Sequence, residues 1–205
     1  MDEKLLTTFF ALTFLLTMTA AAATSEAAVI YVPHNYKTIH EAVKNASPND
    51  TIIVDDGNYT ENIVITKSIT IKSNNGPDAS IVRAAVHSDP VFKISNANEV
   101  AIIGFTATGS LLGGIYLYNA NNCKIQDNKT ISNGSGILVY SSSNNVLINN
   151  LSNSNEQYGK YLESSNGNTL DKNTVNSNRD KGVFLNHSSY NNLTNNNVNL
   201  NTWNG

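Results

Sequence analysis

Gly114-Ile115-Tyr116-Leu117, Gly136-Ile137-Leu138-Val139, Gly159-Lys160-Tyr161-Leu162 and Gly182-Val183-Phe184-Leu185 are four copies of one unit. Their glycines lie 22, 23 and 23 residues apart. Two further columns keep the same spacing: Asn128, Asn150, Asn173 and Asn196, and Asn133, Asn155, Asn178 and Asn201. A fourth column, Asn122, Asn145, Asn168 and Asn191, runs at 23 throughout. Four columns in phase over four copies do not arise from composition, although 25 of the 34 Asn fall between Asn119 and Asn204. The same regularity sets the tract apart from a disordered polar segment.

Each copy carries short apolar pieces, such as Tyr161-Leu162, Leu170 and Val175, separated by Asn, Ser and Gly. These pieces are too short and too β-like for helix-pair repeats. A unit of about 22 residues with two or three short strands is one coil of a parallel β-helix, whose strands stack about 4.8 Å apart. The fold class read here is therefore all-β: a right-handed parallel β-helix of about eight coils, with a short N-terminal capping helix. Two roles are expected of the Asn columns. Asn tolerates the left-handed backbone of tight corners. At inward corners its amide can bridge to neighbouring coils, a structural ladder formed by Asn128, Asn150, Asn173, Asn196, Asn133, Asn155, Asn178 and Asn201.

Working towards the N-terminus, Thr38-Ile39-His40-Glu41 reads as a capping box. Ile39, Ala42, Val43 and Ala46 mark one helical face, and Pro48 closes the segment. That helix would cover the open first coil. Strand-like runs follow at Thr51–Val54, Ile63–Ile65, Ile69–Ile71, Val91–Ile94 and Val100–Phe105, with turns at Gly57 and Asn74-Asn75-Gly76-Pro77. At the other end the fourth copy runs in phase to Asn201 and is followed by Thr202-Trp203-Asn204-Gly205. This predicts a longer parent chain, a capping partner or end-to-end self-association.

Lys4 precedes an apolar run from Leu5 to Met18, followed by Thr19 and four Ala. This is read as an export signal over residues 1–27, with cleavage after Ala23 or Ala27, and the β-helix domain as 28–205, regular over 113–205. The reading makes the protein secreted or cell-surface, with membrane attachment only through an uncleaved signal. The 205 residues suit one domain; 14% charged residues and a net charge of −3, without clusters, give no nucleic-acid footprint. One cysteine, Cys123, excludes an intramolecular disulfide and reads as a small buried residue rather than a reactive thiol.

The segments Tyr36-Lys37-Thr38-Ile39-His40-Glu41-Ala42-Val43, Asn49-Asp50-Thr51-Ile52-Ile53-Val54 and Gly57-Asn58-Tyr59-Thr60-Glu61-Asn62-Ile63 resemble the opening of pectin-lyase-like β-helix proteins. The Gly-Ile-x-Leu and Asn-rich units resemble NosD-like and CASH-domain surface proteins. The resemblance implies the fold; the activities found on it range from sugar hydrolases and lyases to adhesin-like proteins and copper-site maturation factors. The opening also resembles pectin methylesterases, which implies two Asp in adjacent coils beside an Arg. No acidic residue after Asp78 stands in that setting, and Thr130 to Asn155 holds no charge at all. No catalytic residue is carried over.

Three constellations bear on chemistry. Lys160, Glu163, Asp171, Lys172, Arg179, Asp180 and Lys181 have the residue types of a polysaccharide lyase, a cation for a uronate and a base for its α-proton, against the plainer reading of a solvated surface. His34, His40, His87 and His187 are scattered, Met1 and Met18 lie in the export segment, and Asp50, Asp55 and Asp56 read as turn residues, so no metal or other cofactor is expected. Finally, Tyr116, Leu138, Tyr161 and Phe184 form a column beside the aliphatic Leu117, Val139, Leu162 and Leu185. Neighbours on a strand face opposite sides, so one column is core and the other faces out. If the aromatics face out, Tyr116, Tyr161 and Phe184 make a stripe for sugar rings. The function expected is a non-catalytic secreted or cell-surface module that binds polysaccharide or builds surface structure. The alternatives are a carbohydrate-active lyase or hydrolase and a NosD-like copper-site maturation factor. Eight Asn-x-Ser/Thr sequons occur, at Asn45, Asn49, Asn58, Asn128, Asn133, Asn150, Asn186 and Asn192; those in the ladder should be inaccessible.

Overall fold

A computed structural model of the chain describes residues 26–203. The export segment expected over residues 1–27 therefore lies outside the described residues, save for its last two. No helix among the described residues is long and apolar enough to cross a membrane.

Three parallel sheets wall a narrow apolar lumen over about seven turns. The first has eight strands, Val29–Val32, Thr51–Val54, Thr70–Ser73, Ala101–Ile103, Lys124–Gln126, Val146–Ile148, Thr169–Asp171 and Asn192–Thr194, in that spatial order. The second has seven, Gly57–Thr60, Ser80–Arg83, Thr106–Thr108, Lys129–Ile131, Leu151–Asn153, Thr174–Asn176 and Asn197–Asn199. The third has six, Ile63–Ile65, Phe92–Ser95, Gly113–Tyr118, Ser135–Tyr140, Lys160–Glu163 and Val183–Asn186. Each coil thus uses three strands. Sequence patterning missed Gly57–Thr60, Ser80–Arg83 and Thr106–Thr108, because only one or two of their residues face the core.

The register stacks like on like. Ile52, Ile71, Ile102, Ile125, Leu147, Leu170 and Leu193 form one inward column. Ile65, Ile94, Leu117, Val139, Leu162 and Leu185 form another. All members from Ile52 to Leu170 and from Ile65 to Leu162 are fully buried, and this burial is the main driving force of the fold.

The short helix Ile39–Asn45 closes the first coil. Ile39, Ala42 and Val43 are buried, and Thr38 Oγ1 accepts from Glu41 N at 3.1 Å. Two further free N–H groups of the first turn are taken up from elsewhere: Glu61 of the next coil accepts from Ile39 N and His40 N. Lys67 Nζ donates to the carbonyls of Val43, Lys44 and Ala46 at the helix's other end. Both ends of the dipole are thus neutralised by side chains one coil away.

The corners require two corrections. The left-handed residue is not the ladder Asn but the one before it: Asp127, Asn149 and Lys172 at one corner, and Ser132, Ser154 and Ser177 at the next, all with φ between 54° and 56°. The turn made there aims the following Asn into the wall. The column at the third corner also begins one residue later than expected. Asn122 is itself left-handed (φ 56°), and Cys123 takes the first rung, its N–H donating to Asn145 Oδ1 at 2.8 Å.

The ladder Asn tie adjacent coils together. Asn150 Oδ1 accepts from Asn128 N and Nδ2, while Asn150 Nδ2 donates to Ile125 O and Asn173 Oδ1. Asn155 and Asn178 repeat the scheme at the second corner. Asn196 and Asn201 accept from Asn173 N and Asn178 N in the same way. A further ladder of hydroxyls escaped sequence reading: Ala120, Ser142 and Ser165 donate their N–H groups to Ser142 Oγ, Ser165 Oγ and Ser188 Oγ. Among the described residues no buried side-chain N or O atom lacks a partner.

The repeat glycines are needed for close approach, not for a turn. A Cβ on Gly159 would lie 2.1 Å from Val175 Cγ1 and 2.7 Å from Asn178 Nδ2.

Candidate functional site

Side chains along the third sheet alternate between the lumen and the outer face. In Gly113–Tyr118, Ile115 and Leu117 are buried and Tyr116 and Tyr118 point outward. The aliphatic column is therefore the core and the aromatic column the outer surface. Parallel pairing lines up Val64, Lys93, Tyr116, Leu138, Tyr161 and Phe184. Two residues further along each strand, Ser95, Tyr118, Tyr140, Glu163 and Asn186 form a second outward column. Tyr158, before the strand Lys160–Glu163, adds another ring beside Tyr161 and Phe184. Of these, Tyr118, Tyr140 and Tyr158 were missed from sequence. The 22- and 23-residue steps from Tyr118 to Tyr140 to Glu163 were the available signal.

Tyr116, Tyr161 and Phe184 all stand half-buried on this face, but not as three open ring faces. Tyr161 and Phe184 stack on each other, with centroids 5.1 Å apart and planes 9° apart. The Lys181 ammonium lies 4.1 Å from the centre of the Phe184 ring. Tyr140 meets Tyr116 and Tyr161 edge-on, at 85° and 87°. Coils only about 4.8 Å apart press equivalent rings together, so ring faces are spent on neighbouring rings and the ammonium. What remains for a ligand is a row of ring edges, phenol hydroxyls and the polar groups between them.

Glu163 is the charged centre of that row. It accepts hydrogen bonds from the Tyr161 hydroxyl and from Asn186 Nδ2 at 2.7 Å, and pairs with His187 Nδ1 at 3.4 Å. The Tyr161 hydrogen bond first, then those of Asn186 and His187, hold its carboxyl below the usual range. Burial pushes the Tyr140 phenol up to about 12, helped by the neighbouring Tyr161, Tyr116 and Glu163, and burial raises Tyr116 as well. At neutral pH the Tyr116 and Tyr140 phenols are therefore neutral beside the Glu163 carboxylate. At its upper end two shallow hollows of about 250 and 130 Å³ flank Val64, the second reaching Lys93 and Asn62.

The charged cluster read from sequence does not assemble. Lys160 points inward, fully buried, with Nζ donating to Ser152 Oγ at 2.7 Å. Asp171 sits at the corner of the first sheet, accepting from Thr194 and Asn195, with the exposed Lys172 beside it. Arg179 pairs with Glu156 at 2.8 Å in the turn before the third sheet, and Lys181 lies over Phe184. A hollow of about 320 Å³ near Gly109, Gly134 and Ser154 contains Glu156 as its sole ionisable group.

A family profile described as "Periplasmic copper-binding protein (NosD)" matches residues 43–205. The chain belongs to the NosD family. A cell surface glycoprotein of Methanothermus fervidus is 37% identical over 124 residues, which is 60% of this chain and 20% of that protein. The chain thus spans about a fifth of that relative's length. Among solved structures, a pectate lyase superposes with a TM-score of 0.66 at 17% identity, covering 76% of this chain and 49% of the lyase. An alginate lyase from a Paenibacillus species superposes at 0.58 and 15% identity, covering 82% and 76%. At such identities these likenesses concern the fold.

Family membership raises the question of copper, and the described residues of this NosD-family chain do not fit it. Copper sites use His, Cys and Met. Among the described residues no three of His, Cys, Asp and Glu gather. Cys123 is buried, burial raises its thiol pKa, and its sulfur contacts the carbonyls of Ala97 and Asn121. His34 and His187 are each turned to a carboxylate, Asp55 and Glu163. The two Met lie outside the described residues.

Proposed function

We propose that this NosD-family chain is a cell-surface β-helix module that binds polysaccharide along the outer face of its six-stranded sheet without transforming it. The observation that carries the reading is the outward row Tyr116, Tyr118, Tyr140, Tyr158, Tyr161 and Phe184 built around the ionised Glu163. Sugars present hydroxyls that both donate and accept, beside weakly apolar C–H edges. The row answers with phenols that do both, a carboxylate that accepts, and Asn186 that donates. The coil-by-coil repeat matches a ligand that is itself a repeating chain. The relative from Methanothermus fervidus, a cell surface glycoprotein, supports placing the module at a cell surface.

The experiment is a glycan array with the exported chain, paired with a turnover screen on acidic and neutral polysaccharides. The expected result is binding to a restricted set of glycans, lost on Glu163→Gln with Tyr140→Ala, and no product formation. Turnover that disappears with Lys172→Ala or Arg179→Ala would overturn the non-catalytic reading.

A further inference from the structure

We infer that Asn58 is an N-glycan acceptor of this chain, an inference that rests on its placement at the cell surface. Eight sequons are present, and their geometries differ. Asn128, Asn133 and Asn150 are ladder rungs, no more than 2% exposed, with amide nitrogens committed to Ile102 O, Ala107 O and Ile125 O. Asn186 gives its amide nitrogen to Glu163, and Asn45 gives its own to Glu41 O, 2.8 Å away on the same helix. At Asn192 the partner hydroxyl, Thr194 Oγ1, is bonded to Asp171 at 2.8 Å. Asn49 is exposed but left-handed (φ 74°), and the next residue, Asp50, is buried, its carboxylate holding Ala28 N and Ser47 N. That segment is pinned flat to the first coil.

Asn58 differs on every count. It lies in Gly57–Thr60, where Asn58 and Thr60 are the two exposed residues and, two apart on a strand, share one face. Among the described residues neither side chain is engaged in a hydrogen bond. The strand is also the edge of its sheet, paired only with Ser80–Arg83. An N-glycosylating enzyme must reach the amide nitrogen and read the hydroxyl two residues on. Here both are free, adjacent and on an accessible edge. In the transfer, Asn58 Nδ2 forms a bond to the anomeric carbon of a phosphate-carried glycan. The donor's anomeric C–O bond breaks, the phosphate carrier leaves with that electron pair, and one amide proton passes to base. The glycan would stand on the seven-stranded wall and leave the aromatic face clear.

The test is expression of the full chain in a host that N-glycosylates its exported proteins. Chain recovered outside the membrane is measured by intact mass and by site-resolved fragmentation of the tryptic peptide Asn45–Lys67. The expected result is a glycan mass on Asn58, lost in Asn58→Gln and Thr60→Ala and kept in Thr60→Ser. Exported chain without a glycan, or with a glycan that survives Asn58→Gln, overturns this inference and leaves the surface reading intact. Failure to find the chain outside the membrane overturns both.

Discussion

Lys160 occupies a position that its column gives to Ile115, Ile137 and Val183, and it is fully buried beside Ser152. Burial lowers its pKa from 10.5 to about 7. In the unfolded chain the amine stays protonated up to its ordinary value, so between about pH 7 and 10.5 the unfolded state binds one more proton than the folded state. Stability therefore rises with pH across that window, with a slope approaching about 1.4 kcal/mol per pH unit, and is lowest below it, where the amine is charged in both states. Urea melts from pH 6 to 9.5 should show that rise for the native chain, and none of that component for Lys160→Ile. The Ile variant should also be more stable at pH 6, by roughly 1–4 kcal/mol, since an apolar side chain replaces a buried charge. A pH-independent difference between the two would contradict the burial of the amine. Sequence reading placed Lys160 with the surface charges because a cation in an aliphatic column reads as outward. Nothing local signals that Ser152, eight residues back, receives it. Gly159, its neighbour, makes a sharper prediction. A methyl group there meets Val175 and Asn178, so Gly159→Ala should cost roughly 1–3 kcal/mol or more, read as a lower urea midpoint at unchanged slope. An unaffected midpoint would mean the coils are looser than described.

At the scale of the corner and the coil, the asparagine ladder ties neighbouring coils together where other small domains use a disulfide or a thick core. Asn150→Ala removes four hydrogen bonds and leaves the buried Asn128 N without its acceptor. The expected cost is roughly 2–5 kcal/mol by calorimetry or urea melts, far above that of an exposed asparagine such as Asn166→Ala. Equal costs at the two sites would show that the ladder is decorative. The ladder was legible because its period is fixed and its chemistry repeats. Its left-handed neighbours were less so: Asp127, Asn149 and Lys172 share conformation but no residue type, and Ser132, Ser154 and Ser177 are lost among many other serines. The serine ladder was hidden for a related reason: a column that starts at Ala120 and continues through Ser142, Ser165 and Ser188 is lost among many exposed serines. Cys123 shows the same ambiguity, its rung assigned one residue early to Asn122 because both positions suit asparagine. The capping helix was readable from Thr38 and its apolar face, whereas Glu61 and Lys67, which complete its ends, are specified only by the stacking of the next coil.

At the scale of the molecule, three walls have three characters. The eight-stranded wall carries aliphatic residues such as Ile53, Ile103 and Val146 among polar ones, the seven-stranded wall carries the free sequon at Asn58, and the six-stranded wall carries the aromatic row and Glu163. The outward direction of Tyr116, Tyr161 and Phe184 follows from the two-residue alternation once Ile115 and Leu117 are placed inside. The mutual stacking of those rings does not, because it depends on the rise between coils and on Lys181 lying over Phe184. The central claim is that the six-stranded wall is the binding face. The most direct measurement is titration calorimetry of the best array glycan against three proteins: the native chain, Tyr140→Ala/Glu163→Gln, and a control altered on the seven-stranded wall, Thr174→Ala. Circular dichroism would confirm that all three keep the β-helix. The account predicts at least a tenfold loss of affinity, about 1.4 kcal/mol, for the double variant and native affinity for the control. Native affinity in the double variant, or loss in the control alone, would contradict it.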